Sequence, residues 1–237
     1  MKIYFAVLTL IVIYLVSGCT ETVWVQKDFA KITPTIDTIS IIFPQIEYVE
    51  KNGEKLKAKS GHSYFVSKQV ADILKELIDS GKFVSQSANI VFDSTVIIKW
   101  MRNNFADSKT VHKQMYDSLQ ALTGETRIIP AIPELQQLAE KVRTRYFVLV
   151  TGYSFGTTET TRRFDMLQQQ TFELLYDHAF AYERDWFGLS LQIILVDARS
   201  NEVLWYNYNK EKESRYDTLD KEKVKDLCLG LLTANKK

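Results

Sequence analysis

A serine flanked by glycines is the first feature of this sequence that could carry chemistry. Residues Gly152–Gly156 read Gly-Tyr-Ser-Phe-Gly and directly follow an apolar run, Tyr146–Val150, as the nucleophile of a serine hydrolase follows a strand. Such a nucleophile must turn at once into a helix, so that its hydroxyl lies beside backbone N–H donors. The next residues, Thr157–Thr161, are mostly threonine, and β-branched residues start helices poorly. The pattern therefore favours a glycine-rich strand end, with a hydrolase that uses Ser154 as the alternative.

The histidines support neither catalysis nor metal binding. A serine triad needs an acid and then a histidine after the serine, and His178 is the one histidine downstream of Ser154. His62, His112 and His178 lie far apart and lack the short spacings that bring metal ligands onto one face of an element. We therefore expect no catalytic residue, no metal ion and no cofactor in this protein.

Cys19 closes an N-terminal segment whose layout predicts modification of its thiol. The segment contains one charged residue, Lys2, an apolar run over Ile3–Val16 and two small residues before the cysteine. The run has the length of a secretory signal and is shorter than the roughly 20 residues that span a bilayer. This layout resembles the lipobox of bacterial lipoproteins, which implies cleavage after Gly18 and acylation of Cys19. An uncleaved anchor and an ordinary signal peptide are the alternatives.

An acylated Cys19 attaches the protein to a membrane outside the cytoplasm. The several acyl chains of a mature lipoprotein make that attachment effectively stable. Thr20 stands after the cysteine, in place of the Asp associated in some bacteria with retention in the inner membrane, so we expect the periplasmic face of the outer membrane. The predicted organisation is a removed signal peptide at 1–18, a lipidated N-terminus with a short tether at 19–35, and a periplasmic domain at 36–237.

Composition indicates a packed globular body that recognises partners by local shape. Hydrophobic residues make up 46% of the sequence and aromatic residues 12%. Removal of Lys2 with the signal leaves 29 basic and 29 acidic side chains, so no net field attracts nucleic acid. The second cysteine, Cys228, has no partner for an intramolecular disulfide, and its helical spacing with Val224 and Leu231 predicts a small buried hydrophobe.

Apolar periodicity predicts an α/β fold, a single domain in which helices pack on the faces of a mixed β-sheet. The central strands are predicted at Ile39–Phe43 and Tyr146–Val150, and the chain ends in a β-hairpin followed by a helix. Further predicted elements are a hairpin at Asn52-Gly53, a helix capped by Ser67 and ended by Gly81, helices after Asp93 and Asp107, a helix begun by Pro133, a helix over 165–182, and a last helix from Asp217 or Thr218.

Three segments carry a resemblance to a known family. They are Ile39–Pro44, then Leu138-Ala139 leading through Arg145 into Tyr146–Gly152, and Leu195–Trp205. The order of elements is similar to a family of periplasmic α/β domains that includes the curli-secretion lipoprotein, the penicillin-binding-protein activator lipoprotein and the N-terminal domain of TolB. The resemblance covers 36–233 and implies the fold and a location in the cell envelope. In this chain Asn201 stands near the place of the turn glycine usual in that family.

The interval 157–187 is the least regular part of the pattern and ends in a cluster of aromatic residues. Exposed aromatic side chains anchor protein interfaces well, whereas packing across the sheet is their more ordinary role. The candidate partner surface consists of Tyr176, Phe180, Tyr182, Trp186 and Phe187.

Together these features predict a lipoprotein without enzymatic activity that binds a protein partner in cell-envelope assembly or transport. Three alternatives belong to other classes. A ring-forming secretion channel predicts oligomers with amphipathic membrane hairpins, a serine hydrolase predicts a reactive Ser154, and a solute-binding module predicts a large apolar pocket.

Overall fold

In the part of the chain that the computed structural model describes, ten strands form one mixed β-sheet with helices on both faces. The described residues are 24–26, 28–52, 55–92, 127–128, 133–161, 163–164, 166–167, 187–208, 212–214 and 220–233. The predicted fold class is confirmed, including the single domain and the hairpin and helix that end it. Cys19, the two helices predicted after Asp93 and Asp107, and most of the helix predicted over 165–182 lie outside the described residues.

Two long strands form the centre of the sheet. β7 (Tyr146–Thr157) and β8 (Phe187–Asp197) are antiparallel and pair from Tyr146 with Asp197 to Gly156 with Phe187. Alternate residues of β7 enter two different cores, since side chains alternate across a strand. Val148 and Val150 belong to one core, and Phe147 and Leu149 to the other. We call 146–149 and their neighbours the amino half of the sheet, and 150–157 and their neighbours the carboxyl half.

The neighbouring strands follow one another along the two long strands. One pair lies in sequence along β7 and runs parallel to it, a second pair lies along β8 and is antiparallel to it, and four more strands extend the edges. Along β7 lie β2 (Ile39–Ile42) and β3 (Gln45–Asn52), and along β8 lie β9 (Glu202–Tyr208) and β10 (Lys212–Ser214). The edges are β5 (Ala88–Val91) on β2, β4 (Lys55–Ala58) on β3, and β1 (Trp24–Val25) and β6 (Arg127–Ile128) on β9.

Four α-helices lie wholly within the described ranges. They are α1 (Phe29–Ile32), continued by a 3-10 turn at Thr33–Thr35, α2 (Ser60–Asp79), α3 (Pro133–Val142) and α4 (Lys221–Thr233). The apolar faces of α2 and α4 cover one side of the sheet, and Leu135 and Leu138 of α3 cover the other. None of the helices in the described ranges is long and apolar enough to cross a bilayer.

The start of α2 differs from the prediction. Ser67 was expected to cap the helix, but α2 begins at Ser60 and Ser67 is buried inside it. The Ser67 hydroxyl accepts a hydrogen bond from the Ile46 N–H at 3.2 Å, and Ser63 accepts one from the Tyr48 N–H at 2.9 Å. These hydroxyls accept the backbone N–H groups of the part of β3 that does not pair with β4. The predicted apolar stripe and the end at Gly81, with φ of 71°, are confirmed.

Residues assigned to the tether belong in part to the folded body. Trp24 pairs with Tyr206 and Val25 with Trp205, and the Gln26 N–H donates to the Leu204 carbonyl at 3.0 Å. The helical turns over 29–35 then lead into β2, and Phe29 packs against the main core. Strand pairing among the described residues therefore begins at Trp24, twelve positions before the predicted domain boundary at residue 36.

The last hairpin and helix match the predicted pattern closely. Asn201 occupies the turn between β8 and β9 with φ of 56°, a left-handed conformation that Asn tolerates better than most residues. Asp220 precedes α4, and its carboxylate accepts the Glu222 N–H at 3.0 Å, which places the helix start slightly later than predicted. Cys228 is buried, and this burial raises the pKa of its thiol to about 12. The cysteine is therefore an inert core residue at neutral pH.

Candidate functional site

Ser154 lies in the middle of a strand and cannot serve as a hydrolase elbow. It belongs to β7, where it pairs with Tyr48 on one side and Leu189 on the other. Its side chain is fully buried, and its hydroxyl has no hydrogen-bond partner among the described residues. β7 continues to Thr157 without turning into a helix. The geometry that activates a serine at a helix N-terminus is therefore not formed at this position.

The two glycines of this motif are explained by close packing. A Cβ atom on Gly152 would lie 2.6 Å from the Ser190 carbonyl oxygen, and one on Gly156 would lie 2.1 Å from the Tyr48 hydroxyl. Residues 152, 154 and 156 share one face of β7, because side chains alternate. The Gly-x-Ser-x-Gly spacing is thus explained by steric contact, because a side chain at either glycine would collide with a neighbouring strand.

At the amino half of the sheet, an arginine is held by a buried carboxylate. The Arg145 Nε donates to both oxygens of Asp197 at 2.9 Å, and its Nη2 donates to Oδ2 at 2.5 Å. The side chain of Asp197 is 4% exposed and that of Arg145 is 50% exposed. Burial opposes ionisation of Asp197, but the hydrogen bonds from Arg145 and from the Arg199 N–H outweigh it and lower the pKa of Asp197. A fixed, ionised pair therefore joins the start of β7 to the end of β8.

A cleft of about 430 Å³ opens beside this pair, between the end of α3 and the turn after β8. Three arginines contribute to its walls, and Arg143 holds φ of 55°. Its lining residues are Gln136, Ala139, Glu140, Arg143, Thr144, Arg145, Ala198 and Arg199. Because charged and polar side chains predominate, this cleft is unlike the apolar pocket that the solute-binding alternative predicts. Its chemistry suits a polar or acidic group of a partner.

Most of the candidate partner surface falls outside the described residues. The structure does not describe Tyr176, Phe180, Tyr182 and Trp186, so their role as a partner surface stays a prediction. Phe187 is described and differs from the prediction, since it is 8% exposed and belongs to the main core. It pairs with Gly156 at the start of β8. The alternation of side chains along β8 places its ring in the core, so Phe187 packs against the sheet and is not an exposed interface residue.

Sequence reasoning missed a group of exposed aromatic residues on the other half of the sheet. The Phe43 ring stacks on Tyr64 with a centroid distance of 5.4 Å and lies 5.3 Å from the Phe92 ring. Phe43 is buried, but Tyr64 and Phe92 are more than half exposed. The helical spacing of α2 could have identified Tyr64 as exposed, because Tyr64 lies off the buried stripe that contains Val66 and Val70. A helix predicted to start at Ser67 does not include Tyr64, so the prediction missed it.

Metal binding finds no support in the part of the chain that the structure describes. No group of three or more His, Cys, Asp or Glu side chains there is placed to hold an ion. His62 instead stacks on Tyr48 with ring centroids 5.0 Å apart.

Comparison with known proteins gives similarities in fold only. No protein-family model and no curated protein matches this chain. A PelC dodecamer from Paraburkholderia phytofirmans is 8% identical, with 84% of this chain and 86% of that chain covered and a TM-score of 0.38. Lipoprotein GNA1162 from Neisseria meningitidis is 11% identical, with 84% and 96% covered and a TM-score of 0.35. The LpoB C-terminal domain from Salmonella enterica is 8% identical, with 78% and 93% covered and a TM-score of 0.27. At these scores the similarities support no functional assignment.

Proposed function

We propose that this protein is a periplasmic lipoprotein, anchored to the outer membrane through acylated Cys19, that binds a protein partner without catalysing a reaction. The observation that carries the proposal is the sequence before Cys19, a short apolar signal ending in two small residues. A folded body begins soon after it, since Trp24 already pairs in the sheet. A chain of this layout is an anchored module.

The short interval after Cys19 keeps the body at the membrane surface. Five residue steps separate Cys19 from Trp24, and an extended chain spans at most about 18 Å over that distance. A lipoprotein that reaches a distant partner needs a long tether, so a partner of this protein has to lie close to the same membrane. This supports an accessory role in an envelope assembly.

Replacing Cys19 with serine tests the anchor. We expect wild-type protein to fractionate with the outer membrane, and intact-mass spectrometry to show a chain that begins at Cys19 and carries acyl groups. The Cys19→Ser variant should lose the acyl groups and leave the membrane fraction as a folded protein. Cys228→Ala removes the buried thiol and serves as the control that stays anchored. Wild-type protein with residues 1–18 still present and no acyl group would refute the proposal.

Photocrosslinking tests the partner surface. A photoreactive amino acid placed in turn at Tyr176, Phe180, Tyr182 and Trp186 is expected to capture the same envelope protein in cells, because neighbouring anchors contact one partner. The control position is Lys82, which is exposed after α2. If all four positions give no more adduct than Lys82, this interval is not the binding surface.

A further inference from the structure

Exposed apolar side chains gather in one half of this protein. In the described ranges, eight large hydrophobic residues are exposed. All except Val25 lie in the carboxyl half of the sheet, on the segments attached to it or, in the case of Phe92, at the border between the two halves. These seven are between 46% and 66% exposed. Single exposed apolar residues are normal on a protein surface, whereas several of them in one region indicate an interaction site. We call them the apolar end surface: Leu56, Tyr64, Phe65, Phe92, Phe164, Met166 and Leu167.

Strand register brings the first of these residues together. Leu56 of β4 pairs with Lys51, which pairs with Thr157 at the end of β7. Tyr64 and Phe65 lie on the first turns of α2, beside Ser63, whose hydroxyl accepts the Tyr48 N–H. Phe92 directly follows β5 and contacts Phe43. These residues therefore come from β4, α2 and β5 but face the same half of the molecule.

The segment after β7 adds the remaining members. The Thr158 N–H donates to the Lys51 carbonyl at 2.9 Å, and the Thr161 hydroxyl donates to Asn52 at 3.3 Å. These contacts hold the chain that carries Phe164 and Met166 against the tip of the β3–β4 hairpin. The apolar end surface is thus built on hydrogen-bonded backbone.

Lysines lie beside this surface on the β3–β4 hairpin. Lys55 and Lys57 are exposed on β4 and form no ion pair with another described residue, and the Lys51 ammonium lies over the Phe155 ring. The opposite half of the sheet carries the polar cleft with Arg143 and Arg199. Exposed apolar side chains mixed with lysines are typical of surfaces that rest on anionic bilayers.

The direction of the N-terminal chain indicates what covers the surface. β9 runs in the direction of β7, since both are antiparallel to β8, and β1 is antiparallel to β9. The chain therefore enters Trp24 from the side of the carboxyl half. Trp24 lies level with Leu149, and Thr157 lies roughly 26 Å farther along β7. Because the chain enters Trp24 from that side, a tether of about 18 Å is too short to hold the carboxyl half away from the membrane.

We propose that the apolar end surface rests on the membrane that holds Cys19, with its apolar side chains in the interfacial layer and Lys55 and Lys57 among anionic phospholipid headgroups. This inference rests on the anchoring proposed above. The lysine contribution is local, because the whole mature chain is close to neutral. In this orientation the arginine cleft faces the periplasm, where a partner can reach it.

Lipid photolabelling of the anchored protein tests this orientation. The protein, as isolated from membranes, is reconstituted into vesicles of phosphatidylethanolamine and phosphatidylglycerol that contain a phospholipid with a photoreactive group near its glycerol backbone. Mass spectrometry then maps the labelled residues. We expect labels within 55–65 and 163–167 and at least fivefold less labelling within 136–145 and 198–201, which border the arginine cleft.

Paired aspartate variants supply the control. Leu56→Asp with Phe65→Asp places two charges in the apolar end surface and should lower its labelling at least fivefold, whereas Gln86→Asp with Gln137→Asp adds the same charges elsewhere and should leave it unchanged. All four positions are exposed, so each variant is expected to fold. Thermal unfolding close to that of wild type confirms this.

The outcomes separate the two proposals. An acylated protein that is labelled mainly near the arginine cleft, or whose apolar end surface crosslinks to a second copy of the chain, overturns the orientation and leaves the anchor intact. An uncleaved, unacylated N-terminus with the expected labelling refutes the lipidation and supports the orientation. Protein that does not associate with membranes at all overturns both.

Discussion

Replacing Gly152 with alanine is expected to lower the free energy of unfolding by about 3 kcal/mol, because overpacking a rigid site costs on this order. The new Cβ would lie 2.6 Å from the Ser190 carbonyl oxygen and 2.9 Å from a Leu191 methyl. The carbonyl belongs to the backbone of β8 and cannot turn aside, so the two central strands would have to separate. Chemical denaturation or calorimetry measures the change, which corresponds to roughly 6–12 °C in Tm for a domain of this size.

Three other substitutions serve as controls for Gly152→Ala. Gly230→Ala is expected to stabilise by up to about 1 kcal/mol through helix propensity, because nothing lies within 4 Å of its new Cβ. Ser154→Ala removes a buried hydroxyl without a described partner and should change stability by less than about 1 kcal/mol. Gly156→Ala should cost less than Gly152→Ala, since Tyr48 can move. Equal losses at Gly152 and Gly230 would contradict the packing explanation.

Replacing Arg145 with alanine is expected to lower the free energy of unfolding at pH 7 by about 2 kcal/mol, a typical value for hydrogen bonds to a charged group. The substitution leaves the carboxylate of Asp197 buried without its bidentate partner. The expected loss is near the lower end of the roughly 1.5–3 kcal/mol that such hydrogen bonds contribute, because Arg145 is 50% exposed and solvent screens its charge. Urea unfolding of both proteins measures the difference.

The same comparison has a defined pH dependence. The pKa of Asp197 is lowered in the folded state, because the hydrogen bonds from Arg145 and the Arg199 N–H outweigh desolvation by burial. The ion pair therefore stabilises the protein fully above the unfolded pKa, about 3.9 for an Asp, and this stabilisation is lost as pH falls through the folded pKa. The difference between wild type and Arg145→Ala should shrink below about pH 4.

Arg199 supplies the matched control for Arg145. It contacts Asp197 through its backbone N–H at 3.0 Å, so Arg199→Ala keeps that hydrogen bond and should have little effect at any pH. A loss for Arg199→Ala as large as that for Arg145→Ala, or a loss for Arg145→Ala that does not change with pH, would show that the side-chain pair is not the cause.

Elements whose cause is local could be predicted from the sequence. Pro133 marks the start of α3, and the apolar stripe from Val70 to Ile78 marks the buried face of α2, because both depend on residues a few positions apart. The hairpin of β8 and β9 follows from alternation around a polar turn. The start of α2 was wrong because the role of Ser67 is set by the N–H of Ile46, which is distant in sequence.

The end of β7 shows the same limit at the candidate site. Local sequence rules predict that two glycines after Val150 end a strand, yet the strand continues to Thr157. The glycines are required by the Ser190 carbonyl and the Tyr48 ring, which belong to β8 and β3. Such steric requirements appear only when those strands are in register, so a motif search cannot separate them from a catalytic turn.

The sequence by itself predicted the signal before Cys19 and determined the α/β class and the buried faces, since these depend on the order of apolar and polar residues along short stretches. Tertiary structure alone decided that Arg145 meets Asp197, 52 residues away, and that the exposed apolar residues of β4, α2, β5 and the segment after β7 face one end. Strand pairing joins distant segments by backbone hydrogen bonds, and the side-chain pattern of each segment carries no information about which neighbour it will receive.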